Sequence, residues 1–522
     1  MQFTSLADLV RLRAQEMADR PALIDEKRSV TWSEFDSAAS RVATSLIKSG
    51  VHPGDRVGIL DKNSIEFFEV MFGASKANAV PVPLNWRLAV GELARVLDNA
   101  QLSIIFVAAE FVEPVTAATA SLDEAPRIVV IGDEATAVGE GYLGWRDRSP
   151  ARDPLLPADS DIATVILYTS GTTSIPKGAI LDPVVFDTLL EGNARTWGYR
   201  PGSVNLMTLP GFHAGGTVWT LVAMWRGAAT ITVRDANPAI ILQAIERHRV
   251  THVALVPTLL QSVLDSPGAE SADLSSLEFL AYGASPMPAD LLTRTIDKLG
   301  CRISQMYGVT ETAGGVFELP AEDHTRDMIG SPRLRSAGRA QPWVEYRIVD
   351  PESRADVPQG ELGEVWVRTG QAMRGYWRNP EATAERITED GWVRTGDLGY
   401  ADPDHYVFLK SRLQDLIVTG GENVFPAEVE TALLTHPEVV SAAVTAIDDA
   451  RWVESVGAAV VTTPGSRLTD HELAEYARGL LAGYKVPRHI AFVEGLPVNG
   501  MGKVLRHQVR AMLESRPVSA RS

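Results

Sequence analysis

Tyr168-Thr-Ser-Gly-Thr-Thr-Ser-Ile-Pro-Lys-Gly178 follows directly on the apolar run Ala163 to Leu167, which reads as a buried strand. Gly171 lets the backbone come close to phosphate oxygens, so that N–H groups donate with no side chain in the way. Ser170, Thr172 and Thr173 add hydroxyl donors and Lys177 adds a charge. The pattern is not the Walker type, in which Lys and then Ser or Thr follow the second glycine; here Pro176-Lys177-Gly178 stands instead. A loop rich in Ser, Thr and Gly is by itself only a loop. Eleven residues in this order after a strand are far more specific.

Outward from this stretch, helical and strand patterns alternate. Thr31-Trp32-Ser33-Glu34 opens a helix pattern carried by Phe35, Val42 and Leu46 and stopped at Gly50. Arg56 to Leu60 reads as a buried strand and Ser64 to Ala77 as a helix, with an apolar run at Ala79 to Pro83. Similar units recur at Ser103 to Ala108, Ile128 to Ile131, Asn205 to Leu209, Ala229 to Val233 and His252 to Val256. The alternation predicts an α/β fold, a large N-terminal layered domain with a largely parallel sheet. After about Val344 come short alternating strands such as Glu364 to Arg368, with turns at Asp350-Pro351 and Pro358-Gln359-Gly360, which predict a small antiparallel or distorted barrel-like subdomain. Near Ser411 to Asp415 a new unit begins: helix Pro426 to Thr435, strands Val439 to Ala446 and Gly457 to Thr462, and helix Asp470 to Leu481. This predicts a small C-terminal α+β domain, with expected boundaries of 1–413 and 414–522. A chain of 522 residues is also longer than one core usually spans.

The composition, 45% hydrophobic and 22% charged, is that of an ordinary globular protein. A net charge of −17 and a pI near 5.1 exclude nucleic acid as a partner, since its binding needs a basic footprint. One stretch runs against this balance. From Lys485 onward stand Lys485, Arg488, Lys503, Arg506, Arg510, Arg516 and Arg521 against only Glu494 and Glu514, either a solvated tail or local charge for small anions. No apolar run approaches the roughly 20 residues of a transmembrane segment. The opening MQFTSLADLVRLRAQEM has no basic start followed by an apolar stretch, and the single Cys301 excludes an intrachain disulfide. A cytoplasmic location is expected.

Further motifs follow in order: Pro210-Gly-Phe-His213, Tyr282-Gly-Ala-Ser-Pro286, Gln305-Met-Tyr-Gly-Val-Thr-Glu311, Arg394-Thr-Gly-Asp397, Arg412-Leu-Gln-Asp415, Gly420-Gly-Glu-Asn423, Pro426-Ala-Glu-Val-Glu430 and Gly502-Lys503. Each is weak alone. In this order, and with Tyr168 to Gly178, they resemble the adenylate-forming superfamily of acyl-CoA synthetases, luciferases and peptide-synthetase adenylation domains. The resemblance spans nearly the whole chain and looks closest to fatty-acyl and aryl-CoA ligases.

That resemblance implies an ATP-dependent acyl-CoA ligase. A carboxylate attacks the α-phosphate of ATP to form an acyl-adenylate, and the thiol of coenzyme A then displaces AMP. The first step joins two anions, so developing charge must be neutralised. The catalytic residues implied are Lys503, which faces the α-phosphate, with Thr172, Glu311 and His213. ATP and AMP are assigned to Thr169, Ser170, Gly171, Thr173, Lys177, Gly283, Ala284, Tyr307, Gly308, Thr310, Asp397 and Arg412. Among these, Gly283, Ala284 and the Tyr307 ring resemble the adenine slot, and Asp397 is suited to accept both ribose hydroxyls. Glu311 with Thr172 is the implied Mg2+ site, a hard cation suited by one carboxylate plus waters and phosphates. Gly420, Gly421, Glu422 and Trp452 are implied to bind CoA, and Gln414 to be the hinge about which a mobile C-terminal domain turns between the two steps.

Four residues depart from the family pattern: Ser174 in the phosphate loop, Ser411 and Gln414 around the hinge, and Val453 where glycine usually follows Trp452. None removes a charged group. His213, Val218, Met306, Ala313, Gly314 and Gly315 are the implied acyl pocket, and its walls (His213 to Trp219, Tyr282 to Ala284, Met306, and Ala313 to Phe317) are apolar. A monocarboxylic acid with an apolar fatty, aryl or polycyclic body is therefore expected. The partners implied are that acid, ATP and CoA, and the resemblance leaves a homodimer open. Three rival readings stand beside this one: adenylation for a carrier protein, an enzyme of only one half-reaction, and a non-catalytic binding protein.

Overall fold

The computed structural model describes residues 2–132, 139–169, 177–283, 287–419, 422–449, 452–498 and 504–515. The chain forms two compact units, Met1–Tyr346 with Val367–Arg394, and Arg347–Trp366 with Thr395–Ser522.

The first unit is a layered α/β body. Its largest sheet has nine strands, in the order Arg339–Ala340, Gly314–Leu319, Arg302–Val309, Phe279–Gly283, His252–Leu255, Val204–Met207, Ala229–Thr232, Pro21–Ile24 and Ser29–Thr31. The strands from Arg302–Val309 to Pro21–Ile24 are parallel, and the outer pairs are antiparallel. A second sheet, Val80–Pro83, Arg56–Leu60, Leu102–Ala108, Arg127–Ile131 and Glu140–Gly141, is parallel throughout. Strands covered on both faces read as unbroken apolar runs, which is why these segments are recognisable without any alternation.

Local chemistry sets the helix ends. Thr31 caps Trp32–Lys48 through a capping box with Glu34, whose carboxylate returns to the Thr31 N–H. Ser64 caps Ile65–Lys76, a helix buried almost all round. Its last residue, Lys76, is fully buried, and its ammonium pairs with Asp36 at 2.7 Å and with Asp153. A buried cation is tolerable only when paired in this way.

One expectation is revised. The strand before the glycine-rich loop is Val165–Thr169 rather than Ala163 to Leu167. It belongs to a three-stranded antiparallel sheet with Lys177–Leu181 and Gly375–Tyr376, not to the parallel layers. The hairpin register Thr169↔Lys177 draws the strand two residues further along. The region read as antiparallel or barrel-like is a four-stranded sheet in the order Val344–Val349, Gly363–Thr369, Val393–Ala401 and Val407–Arg412, with the last pair antiparallel.

In the second unit, Val453–Thr462 pairs antiparallel with Val439–Asp449 and Ile417–Thr419, and parallel with His489–Phe492. Helices Pro426–Leu434 and Asp470–Arg478 contribute Val429, Leu433 and Leu473 to the core of this sheet. Val453–Thr462 starts four residues before the expected Gly457, because that glycine lies inside the ladder, opposite Thr445. No helix among the described residues is long and apolar enough to cross a membrane.

Candidate active site

In the first unit, several of the expected site residues meet at the ends of strands. Thr169 is the last described residue before the loop, and Lys177 the first after it, paired across the hairpin. The Lys177 ammonium lies 5.3 Å from the ring centroid of Tyr376, on the neighbouring short strand. Tyr376 Oη donates to Glu311 Oε1, and Arg386 Nη2 reaches the same oxygen at 3.0 Å. Arg386 Nε also donates to Tyr376 Oη at 3.1 Å. Burial and the Glu311 charge push the Tyr376 phenol above its ordinary range, so it stays a donor. One carboxylate oxygen of Glu311 is thus committed to Tyr376 and Arg386. Among the described residues the other meets no side-chain donor, an arrangement that would suit a hard cation in a single-carboxylate Mg2+ site completed by water and phosphate. Neither Tyr376 nor Arg386 was singled out in the sequence.

Glu311 sits in the 3-10 turn Thr310–Thr312, where Thr312 Oγ1 donates to the carbonyls of Val309 and Gly314 at 3.0 Å. Gln371 Nε2 braces the same loop from the Thr312 and Gly315 carbonyls. The glycines of the expected nucleotide slot have packing reasons of their own. A Cβ at Gly283 would stand 2.6 Å from the Met306 carbonyl, and one at Gly308 would run into the Gly314 carbonyl across a bulge. Tyr307 is half-buried, 5.9 Å from Phe317 between ring centroids.

On the acyl side, His213 is the N-cap of helix Ala214–Trp225 and lies half-buried against Phe212, ring centroids 4.3 Å apart. Burial, and then the nearby Arg87 charge, push its pKa down to about 4, so the imidazole is neutral at physiological pH. Its Nε2 has no hydrogen-bond partner among the described residues. Arg87, also missed in the sequence, lies over Trp86 at 4.3 Å and Phe212 at 5.8 Å. Val218 and Ala313 are buried in one cluster with Met306 packed against it, and Met306 Sδ lies 3.5 Å from where a Cβ on Gly315 would be. Gly314 has φ +107°, a backbone state that suits glycine.

In the second unit, Asp397 and Arg412 are cross-strand partners, with Arg412 Nε 3.1 Å from the buried Asp397 carboxylate. Glu422 is exposed on Glu422–Val424. Arg488 lies over the Trp452 ring at 4.8 Å. Gln414 is exposed, in the 3-10 turn Leu413–Asp415. Of the described bases in the stretch from Lys485, three are paired with acids: Lys485 with Glu428 at 2.7 Å, Arg506 with Glu430 at 2.6 Å and Arg510 with Asp448 at 2.7 Å. Those acids lie 57 or more residues upstream, beyond the reach of a local charge count. Ser170, Gly171, Thr172, Thr173, Ser174, Ala284, Gly420, Gly421 and Lys503 lie outside the described residues.

Val453, the departure beside Trp452, has φ +70° with its side chain exposed. A β-branched residue in the left-handed region costs roughly 1–2 kcal/mol, whereas glycine's added chain entropy costs about 0.5–1 kcal/mol. Val453→Gly is therefore expected to stabilise the second unit by about 0.5–1 kcal/mol. Denaturant unfolding reads this out, and an unchanged or lowered midpoint contradicts the strain.

Comparison with known proteins adds relatives to this geometry. Residues 10–377 match the family model described as AMP-binding enzyme, and residues 428–503 match AMP-binding enzyme C-terminal domain. A fatty acid–[acyl-carrier-protein] ligase, ScoC, of Streptomyces coeruleorubidus is 35% identical, covering 98% of this chain and 96% of the relative. A feruloyl-CoA synthase of an Amycolatopsis species is 38% identical, covering 92% of this chain and 94% of the relative. Among solved structures, the o-succinylbenzoate CoA synthetase of Bacillus subtilis, in complex with its acyl-adenylate intermediate, superposes with a TM-score of 0.85 at 27% identity, covering 98% of this chain and 99% of that one.

Proposed function

Since the chain belongs to the AMP-binding enzyme family and is an ATP-dependent, AMP-forming acid–thiol ligase, we propose that it couples an apolar carboxylic acid to coenzyme A through two half-reactions in one site. The observation that carries this reading is the Lys177–Tyr376–Glu311–Arg386 cluster, in which one tyrosine meets both the first described cation after the glycine-rich loop and a buried carboxylate.

In the first half-reaction an oxygen of the acid's carboxylate bonds to the α-phosphorus and pyrophosphate leaves. Thr172, Thr173 and Lys177 hold the polyphosphate, and Lys503 balances the charge that grows at the α-phosphate. Asp397 accepts from the ribose hydroxyls, oriented by Arg412. Glu311 and Thr172 would hold Mg2+, which neutralises phosphate charge when bound. The neutral His213 borders the acyl group without placing a second charge there. In the second half-reaction the CoA sulfur bonds to the anhydride carbonyl carbon, the bond from that carbon to the phosphate oxygen breaks, and AMP leaves. Gly420, Gly421 and Glu422 line the thiol's approach and Trp452 stacks on the CoA adenine.

The two steps need different partners at one carbonyl, and we assign the exchange to a turn of residues 414–522 about Gln414. Proline there removes an N–H and confines φ near about −65°. Gln414→Pro is therefore expected to lower thioester formation at least tenfold while adenylation, read as pyrophosphate release, stays within about threefold. If both steps survive unchanged, the hinge lies elsewhere.

A carrier-protein thiol as acceptor is the second reading, favoured by the likeness to ScoC over nearly the full chain. Presenting free CoA and a holo-carrier protein to enzyme charged with acyl-adenylate separates them. Thioester formation on the carrier alone overturns the CoA assignment.

A further inference from the structure

Buried polar atoms are almost always hydrogen-bonded, so those that are not point to something missing. Five such side-chain atoms, with no partner among the described residues, lie on two helices of the first unit that pack together: Asn193 Oδ1 and Trp197 Nε1 on Pro183–Trp197, and Trp219 Nε1, Thr220 Oγ1 and the N-cap His213 Nε2 on Ala214–Trp225. The indoles of Trp197 and Trp219 face one another with ring centroids 4.8 Å apart, and each is at most 5% exposed. Phe279 lies 6.4 Å from one and 6.3 Å from the other, nearly parallel to both. Phe279 opens the strand that ends at Gly283, so the indole pair and the expected nucleotide slot sit at opposite ends of a strand about 13 Å long.

Helix Ala214–Trp225 also packs beside Gly314–Leu319, and Val218, Trp219 and Ala313 share one core cluster, with Met306 against it. On the reading above that His213 to Trp219 wall the acyl pocket, we propose that the deep end of this pocket is a hydrogen-bond donor pair, Trp197 and Trp219. Its occupant is the neutral acceptor oxygen of the acid's far end. An indole N–H donates and never accepts, so the complement is an ether, hydroxyl or carbonyl oxygen. A second carboxylate is the poorer match, since the rings against the pair are Tyr199 and Phe279, and Arg302, 5.3 Å from the Phe279 centroid, already donates to the Thr196 carbonyl. The substrate class is thereby narrowed from an apolar acid to an apolar acid bearing a distal neutral oxygen.

The test uses acids matched in size that differ in one atom: 4-methoxy- against 4-ethylcinnamate, and 9-methoxynonanoate against undecanoate. Adenylation is followed as pyrophosphate release on the full chain. A hydrogen bond of ordinary net strength favours the methoxy acid of at least one pair by about tenfold in kcat/KM. Trp219→Phe, which keeps a ring and removes the N–H, is expected to abolish that preference, the methoxy acid losing about tenfold more than its alkyl partner. Trp32→Phe removes another buried indole N–H without a partner, away from these helices, and is expected to leave the preference intact. Wild-type enzyme treating both acids of each pair alike overturns the proposal, as does a preference that survives both Trp197→Phe and Trp219→Phe. If Trp219→Phe does not fold, the wild-type pairs and Trp197→Phe decide. Failure to adenylate any acid overturns the ligase reading as well, whereas equal turnover of matched acids overturns this inference alone.

Discussion

Lys503→Ala is expected to abolish adenylate formation while leaving thioester formation from a supplied acyl-adenylate within about threefold of wild type. The reason lies in the charge balance of the two steps. When the carboxylate approaches the α-phosphate, negative charge accumulates where two anions already meet, and a single well-placed donor in such a site is worth about 10²–10³ in rate. In the second step the thiol attacks a carbonyl already activated as an anhydride, and AMP leaves without a new anion–anion encounter. The expectation draws on the Gly502-Lys503 motif, since Lys503 is outside the described residues. Pyrophosphate release and thioester formation, measured separately, check it, and equal loss of both half-reactions sinks the division of labour.

Glu311→Gln is expected to lower adenylation by about 10²-fold or more and to raise the Mg2+ concentration needed for half-maximal rate. The amide keeps the shape and still accepts from Tyr376 and Arg386, so the turn Thr310–Thr312 and its brace from Gln371 should persist. What is lost is the negative charge that a hard cation requires. Thermal unfolding within a few degrees of wild type, together with the shifted Mg2+ dependence, identifies a metal ligand. Full activity at unchanged Mg2+ shows instead that Glu311 serves only to anchor Arg386 and Tyr376.

Parts of this site were legible in the sequence because the chemistry is local. Thr31 and Glu34 announce a capped helix through four consecutive residues, and the capping box forms as written. Arg56 to Leu60 was readable as a strand end to end because a strand buried on both faces is an unbroken apolar run. The glycines at 283 and 308 were assigned to the nucleotide through the family resemblance. The structure shows that neighbouring carbonyls of Met306 and Gly314 already require glycine there, independently of any nucleotide. The partners of Glu311 were not legible. Tyr376 and Arg386 lie 65 and 75 residues further along, and only the pairing of Gly375–Tyr376 with Lys177–Leu181 brings the phenol to the carboxylate. The counter-ions of Lys485, Arg506 and Arg510 were equally hidden, since they come from a helix and a strand far upstream.

The sequence by itself determined the family, the order of the phosphate-loop and later motifs, the α/β layering of the first unit and most of the helix and strand positions. Each depends on residues that are neighbours in the chain, through capping, periodicity and turn chemistry. Only the tertiary structure decided that the Glu311 carboxylate is held by Tyr376 and Arg386, that His213 is neutral, that Val453 is strained and that the stacked indoles of Trp197 and Trp219 find no N–H partner among the described residues. Three of these arise from burial and long-range pairing, which sum contributions from segments tens to hundreds of residues apart. The fourth, the backbone of Val453, is imposed by a ladder whose partner Thr419 lies on another strand.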